Sequence, residues 1–171
     1  MTSNQESEKY WEMREQMAKK TKLDVSAAHK YFSAECFNKA WKFIDKPTRS
    51  AKDEEEMLSL SLTSLWHWSQ REDHTPTNMS VGYWQVSRVY ALMGQADNAR
   101  RYGQLCLETS QGKGILPFYL GYAYEALARA ASVVGDQELR GHYLEEAQRI
   151  AETLPDKEAK KQLLDDLGTI R

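Results

Sequence analysis

Apolar residues in this chain return every three or four positions almost from one end to the other. Val25, Ala28, Phe32, Cys36, Ala40 and Phe43 follow that step, interrupted only by Lys39, and so do Leu139, Tyr143, Ala147, Ile150 and Leu154. This is the period of an α-helix with one buried face, and it does not suit a strand, whose period is two. The residues that stop such runs are scarce, with 9 Gly and 4 Pro in 171 residues. The rest is rich in Ala, Leu, Glu, Lys and Gln, which favour helix. The chain is expected to be all-α.

One stretch resists the pattern. In LSLSLTSLWHWSQREDHTP, residues 58 to 76, leucine and serine alternate as on a half-buried strand. The acidic run Asp53 to Glu56 just before it places negative charge where the positive end of a helix dipole would lie. Leu58, Leu62, Leu65, Trp66 and Ser69 then hold one helical face. A strand here would also be alone, since no other segment reads as strand, and a lone strand leaves its backbone groups unpaired. The stretch is predicted to be helix, with Trp66 in the core stripe.

The turn signals divide the chain into about eight helices. Tyr10, Met13 and Met17 mark a first over 5 to 20, and Asp24 caps a second that ends near Pro47. Thr75-Pro76 reads as a cap followed by proline at the first helical position, opening a helix that runs to Met93 with Tyr83, Val86, Val89 and Tyr90 facing inward. Gly94 and Gly135-Asp136 end helices. Ala159, Leu163, Leu167 and Ile170 share one face of the last. Consecutive helices with short connections pack as antiparallel neighbours. We expect one domain over residues 1–171, a length at which roughly 70% of the unfolded surface is buried.

YWQVSRVYALMGQADNARRYGQLCLE, residues 83 to 108, resembles a tetratricopeptide repeat. Tyr83 and Tyr90 stand at its aromatic positions, Val86-Ser87 at its large-small pair, Gly94 in the turn and Ala99 at the small contact. A looser copy runs from Tyr124 to Gln148, through Leu127, Ala128, Gly135-Asp136, Leu144 and Ala147. It departs from the pattern at Arg140, where a small residue is usual. The resemblance covers roughly residues 80 to 150. It implies antiparallel helical hairpins wound into a right-handed α–α superhelix, with residues 1–22 and 156–171 as capping helices. It also implies that the first helix of each hairpin lines a concave groove. Carried over residue by residue, this sets Trp84 and Arg88 on one groove helix and Tyr122, Glu125 and Arg129 on the next. The two arginines, at equivalent positions beside Trp84 and Tyr122, could hold an acidic peptide or a C-terminal carboxylate by charge-assisted hydrogen bonds. The implied role is a protein-interaction scaffold.

Several function classes fall away. A formal net charge of −2 offers no long-range attraction to nucleic acid or acidic lipid. The apolar run 115 to 134 contains Glu125 and Arg129, each costing on the order of 3 kcal/mol at a bilayer centre, so a soluble helix is expected rather than a membrane span. The polar start MTSNQESEK lacks a secretory core. With no CxxC pair, Cys36 and Cys106 read as reduced packing thiols of a cytoplasmic protein. His67 and His74 are seven apart, about 10 Å along a helix, too far to chelate one ion. No catalytic motif is present, and no cofactor is expected. Two rival readings remain: a small-molecule or metal-dependent enzyme with a pocket of His67, Trp68, Tyr83 and Trp84, and a homodimer formed through the apolar face of the last helix.

Overall fold

A computed structural model describes residues 8–9, 11–14 and 24–171. The described residues form helices with no strand, and from Val25 onward seven helices follow one another: α1 Val25–Ile44, α2 Ala51–Ser69, α3 Pro76–Leu92, α4 Ala96–Ser110, α5 Pro117–Val134, α6 Gln137–Thr153 and the shorter α7 Lys157–Leu167. Residues 8–9 and 11–14 are helical as well. Most of the helix expected over 5 to 20, with Tyr10, Met17 and the capping role of residues 1–22, lies outside the described residues.

Local chemistry sets the boundaries. Asp24 accepts from the amide of Ala27 at 2.9 Å and opens α1. Ser50 and Asp53 exchange hydrogen bonds as a capping box at α2, and Thr75 and Asn78 do so at α3, where Pro76 occupies the first turn. Each such cap contributes about 1 kcal/mol. α3 and α5 stop at Gly94 and Gly135, with φ of 71° and 74°, in the left-handed region that glycine enters without steric cost. There the amides of Gln95 and Asp136 reach back to the carbonyls of Tyr90 and Ala131 at 2.9 and 3.0 Å, completing Schellman caps.

α1 pairs with α2, α3 with α4, and α5 with α6, while α2 packs on α3 and α4 on α5. α3 also touches α1 and α5, and α7 lies along α5 and α6. Small residues let these helices approach closely. Ser87 is fully buried and donates to the carbonyl of Ala99 at 2.7 Å, joining α3 to α4. A Cβ added at Gly82 would sit 2.8 Å from Leu65 Cδ1.

The alternating stretch is helix, but its buried row differs from the one expected. Met57, Ser61 and Ser64 are buried, and Trp66 is 54% exposed. Serine is small, and its hydroxyl can be satisfied by a carbonyl, so it permits a closer α1–α2 contact than leucine would. Ser61 donates to Met57 O at 3.0 Å, and Ser64 crosses to Ser33 O at 2.6 Å. The leucines flank this seam half-buried. In α1 the buried row is Ser33, Cys36, Ala40 and Ile44, so Val25 and Phe32 are exposed. In α6 the rotation that seats Ala147 and Ala151 leaves Leu139 exposed. Tyr83 and Tyr90 are only half-buried, each against Tyr102.

α5 carries the densest buried face, with Tyr122, Ala123, Glu125, Ala126, Leu127 and Ala128 all enclosed. No helix among the described residues is long and apolar enough to cross a membrane. Cys36 and Cys106 are free and buried, and burial pushes the Cys106 thiol up to about 11.

Candidate functional site

Glu125 lies in the middle of α5 and is fully buried. A carboxylate taken out of water is tolerated only when its oxygens are hydrogen-bonded and its charge is matched. Trp84 of α3 donates its indole N–H to Oε2 at 2.8 Å. On Oε1, Arg88 Nη1 donates at 3.3 Å, and Arg129, one turn along α5, donates through Nε at close range. Tyr122 donates its hydroxyl to Asp166 Oδ2 at 2.7 Å. Burial first, and then that hydrogen bond, push the Tyr122 hydroxyl well above its ordinary pKa.

The five residues expected in the groove therefore converge on one spot, although 45 positions separate Trp84 from Arg129. Aromatic contacts bind them together. Trp84 meets Tyr122 edge-on at 5.2 Å between ring centroids and Trp41 of α1 at 5.8 Å. The Arg88 guanidinium stands 5.7 Å from the Trp41 ring and 5.6 Å from the Trp84 ring, within cation–π range. Their exposure differs from the expectation. Glu125 is an internal counter-ion instead of a groove surface, and Arg88 is largely enclosed.

Asp166 and Trp41 complete the cluster and were not expected in it. Asp166 comes from α7, facing Arg88 Nη1 at 3.5 Å. Arg129 Nη2 also donates to Asp166 O at 3.0 Å and to Thr169 Oγ1 at 2.7 Å, and Ser132 donates to Arg171 O. One signal was available in the sequence. Two arginines facing a single buried glutamate need a second acid, and DDL at 165 to 167 supplies one beside an inward leucine. The Nε of Arg88 is buried and makes no hydrogen bond.

Two cavities border the cluster. One of about 120 Å³ is walled by Val81, Trp84, Phe118, Tyr119, Tyr122, Ser80 and Gln162. The other, about 130 Å³, lies on the far side, against Arg129, Ser132, Thr169 and Arg171.

The residues of the rival pocket are dispersed. Tyr83 faces Tyr102, Trp84 faces Glu125, and Trp68 lies under the Arg71 guanidinium at 3.9 Å. His67 instead meets His29 across the α1–α2 hairpin, with Nδ1 to Nδ1 at 2.8 Å, beside Phe32 and Trp66. Burial and the neighbouring His29 lower the His67 pKa. Among the described residues no three His, Cys, Asp or Glu side chains come together to hold a metal ion. The apolar face assigned to a homodimer is also in use, since Leu163 and Leu167 of α7 are buried within the chain.

Comparison with protein-family models, with curated proteins and with solved structures finds no match for this chain.

Proposed function

We propose that this chain is a protein-interaction module, a tetratricopeptide-like right-handed stack of helical hairpins whose trough receives an acidic segment of a partner protein. The observation that carries the reading is the convergence of Arg88 and Arg129 with Trp84 and Tyr122, where a carboxylate and two neighbouring oxygens are already gripped. Arginine pairs beside aromatic rings suit such a ligand because charged hydrogen bonds fix its position while the rings exclude water. The aromatic-walled cavity beside Trp84 and Tyr122 gives a partner more to bind. Support for the hairpin stack comes from the succession of paired helices, with α3 in contact with both α1 and α5. Free buried thiols at Cys36 and Cys106 suit a cytoplasmic setting.

The test is a fluorescence-anisotropy titration of acidic peptides, some ending in a free carboxylate, against the wild type and Arg88→Gln. This change keeps Arg129 on Glu125 and removes the guanidinium that faces Asp166. A lost charge-assisted contact is worth about 1.5–3 kcal/mol, so affinity should fall about tenfold or more, with a weaker dependence on salt. Equal affinity for both proteins, each verified as folded by circular dichroism, removes the reading.

A further inference from the structure

The chemistry of the partner is legible in what already lies on the cluster. α7 presses Leu163 and Leu167 into α5 and α6. The fit depends on Gly121, because a Cβ there would stand 2.5 Å from Leu163 Cδ2. Asp166, on the same helix face, takes the Tyr122 hydroxyl and the facing Nη1 of Arg88. The pattern is leucine at i, acid at i+3 and leucine at i+4.

Charge decides what can join it. Arg88 and Arg129 meet Glu125 and Asp166, so two cations face two anions. Glu125 is locked within α5, whereas the Asp166 side chain is 26% exposed and belongs to a helix of 11 residues. A helix that short is not stable alone and forms here by docking. A third carboxylate would add unbalanced negative charge to the cluster. An incoming acid can be matched only where Asp166 now sits.

We infer, resting on the interaction-module reading, that α7 is a built-in occupant of the binding surface. The partner supplies an amphipathic helix with the same leucine–acid–leucine spacing and binds by taking the place of α7. Tethered through Leu154, Pro155 and Asp156, α7 competes at an effective concentration on the order of millimolar. Affinity measured on the intact chain is therefore lowered by the fraction of molecules whose surface is covered.

The experiment uses the full chain as wild type, Leu163→Ala and Asp166→Asn, with a fluorescein-labelled peptide copying residues 155–171 as probe. An extended, glutamate-rich octapeptide is titrated in parallel. Circular dichroism verifies the helical content of each protein. Should Leu163→Ala fail to fold, Asp166→Asn carries the test, since it removes one charge and no volume. The helical peptide should bind both variants about tenfold more tightly than the wild type, because each loosens the internal competitor. A peptide in which Asp166 is replaced by Asn should lose most of that binding. Equal affinity of the helical peptide for all three proteins overturns displacement of α7 but leaves the interaction-module reading standing. The same holds if the octapeptide binds and the helical peptide does not. Failure of both peptides on every folded protein removes both ideas.

Discussion

Glu125→Gln is the most direct probe of the cluster, because it changes charge with almost no change of shape. The carboxylate accepts three hydrogen bonds, from Trp84 on one oxygen and from Arg88 and Arg129 on the other. An amide has one carbonyl oxygen, so its NH₂ must face either the indole N–H or the two guanidiniums, donor against donor. At least one buried donor loses its acceptor, at about 1–3 kcal/mol. Both guanidiniums also lose their fixed anion, and breaking a buried ion pair from one side costs about 3–5 kcal/mol. Asp166 still faces Arg88, and the arginine side chains are 16% and 15% exposed, so the low end applies. The two costs fall on the same donors and overlap, so the loss should be about 3 kcal/mol. At 2–4 °C per kcal/mol for a chain of this length, Tm should fall by about 6–12 °C. Thermal and urea unfolding followed by far-ultraviolet circular dichroism, with tryptophan fluorescence as a second probe, measure it at pH 7. Adding Arg129→Met to Glu125→Gln should recover part of the loss by removing one unmatched cation, a coupling read from the double-mutant cycle. A Tm within about 2 °C of the wild type for Glu125→Gln would refute the reasoning, since no matched buried carboxylate could be exchanged so cheaply.

Two further outcomes follow from other parts of the structure. Gly121→Ala should push Leu163 from its seat at a cost of about 1–3 kcal/mol, seen as faster amide exchange in α7 than in α1 to α4; unchanged exchange would mean that Leu163 is not seated against Gly121. The lowered pKa of His67 makes the unfolded chain the better proton acceptor, so its contribution is present above the unfolded value near 6.5 and is lost as pH falls through the lower folded value. His67→Gln should therefore flatten Tm between about pH 7 and pH 5 relative to the wild type; parallel curves would remove His67 as the titrating group.

Helix ends were the most legible part of the sequence, because a cap or a left-handed glycine is a local event. Asp24, Thr75-Pro76, Gly94 and Gly135 act where their neighbours alone require it. Buried faces were less legible. In α2 the period reading weighted leucine and tryptophan above serine, yet the hairpin closes on Ser61 and Ser64; the Ser61 hydroxyl turns back on its own helix, while that of Ser64 finds a carbonyl across the seam that no local pattern reveals. The cluster was found in part. The resemblance placed Trp84, Arg88, Tyr122, Glu125 and Arg129 on adjacent helices, but it could not show that Asp166, 78 positions from Arg88, would balance their charge. The His29–His67 contact likewise joins residues 38 apart. Such pairings are set by how helices stack, and residue spacing carries no record of them.

The hydroxyl seam between α1 and α2 has a consequence for modification. Ser33, Ser61 and Ser64 are shut away from solvent, with Ser64 holding the backbone of the facing helix. A kinase could reach them only after the hairpin had opened. A phosphate placed at Ser64 would carry nearly two negative charges into a space sized for one hydroxyl. Phosphorylation there would mark molecules that had already come apart and would keep them from closing.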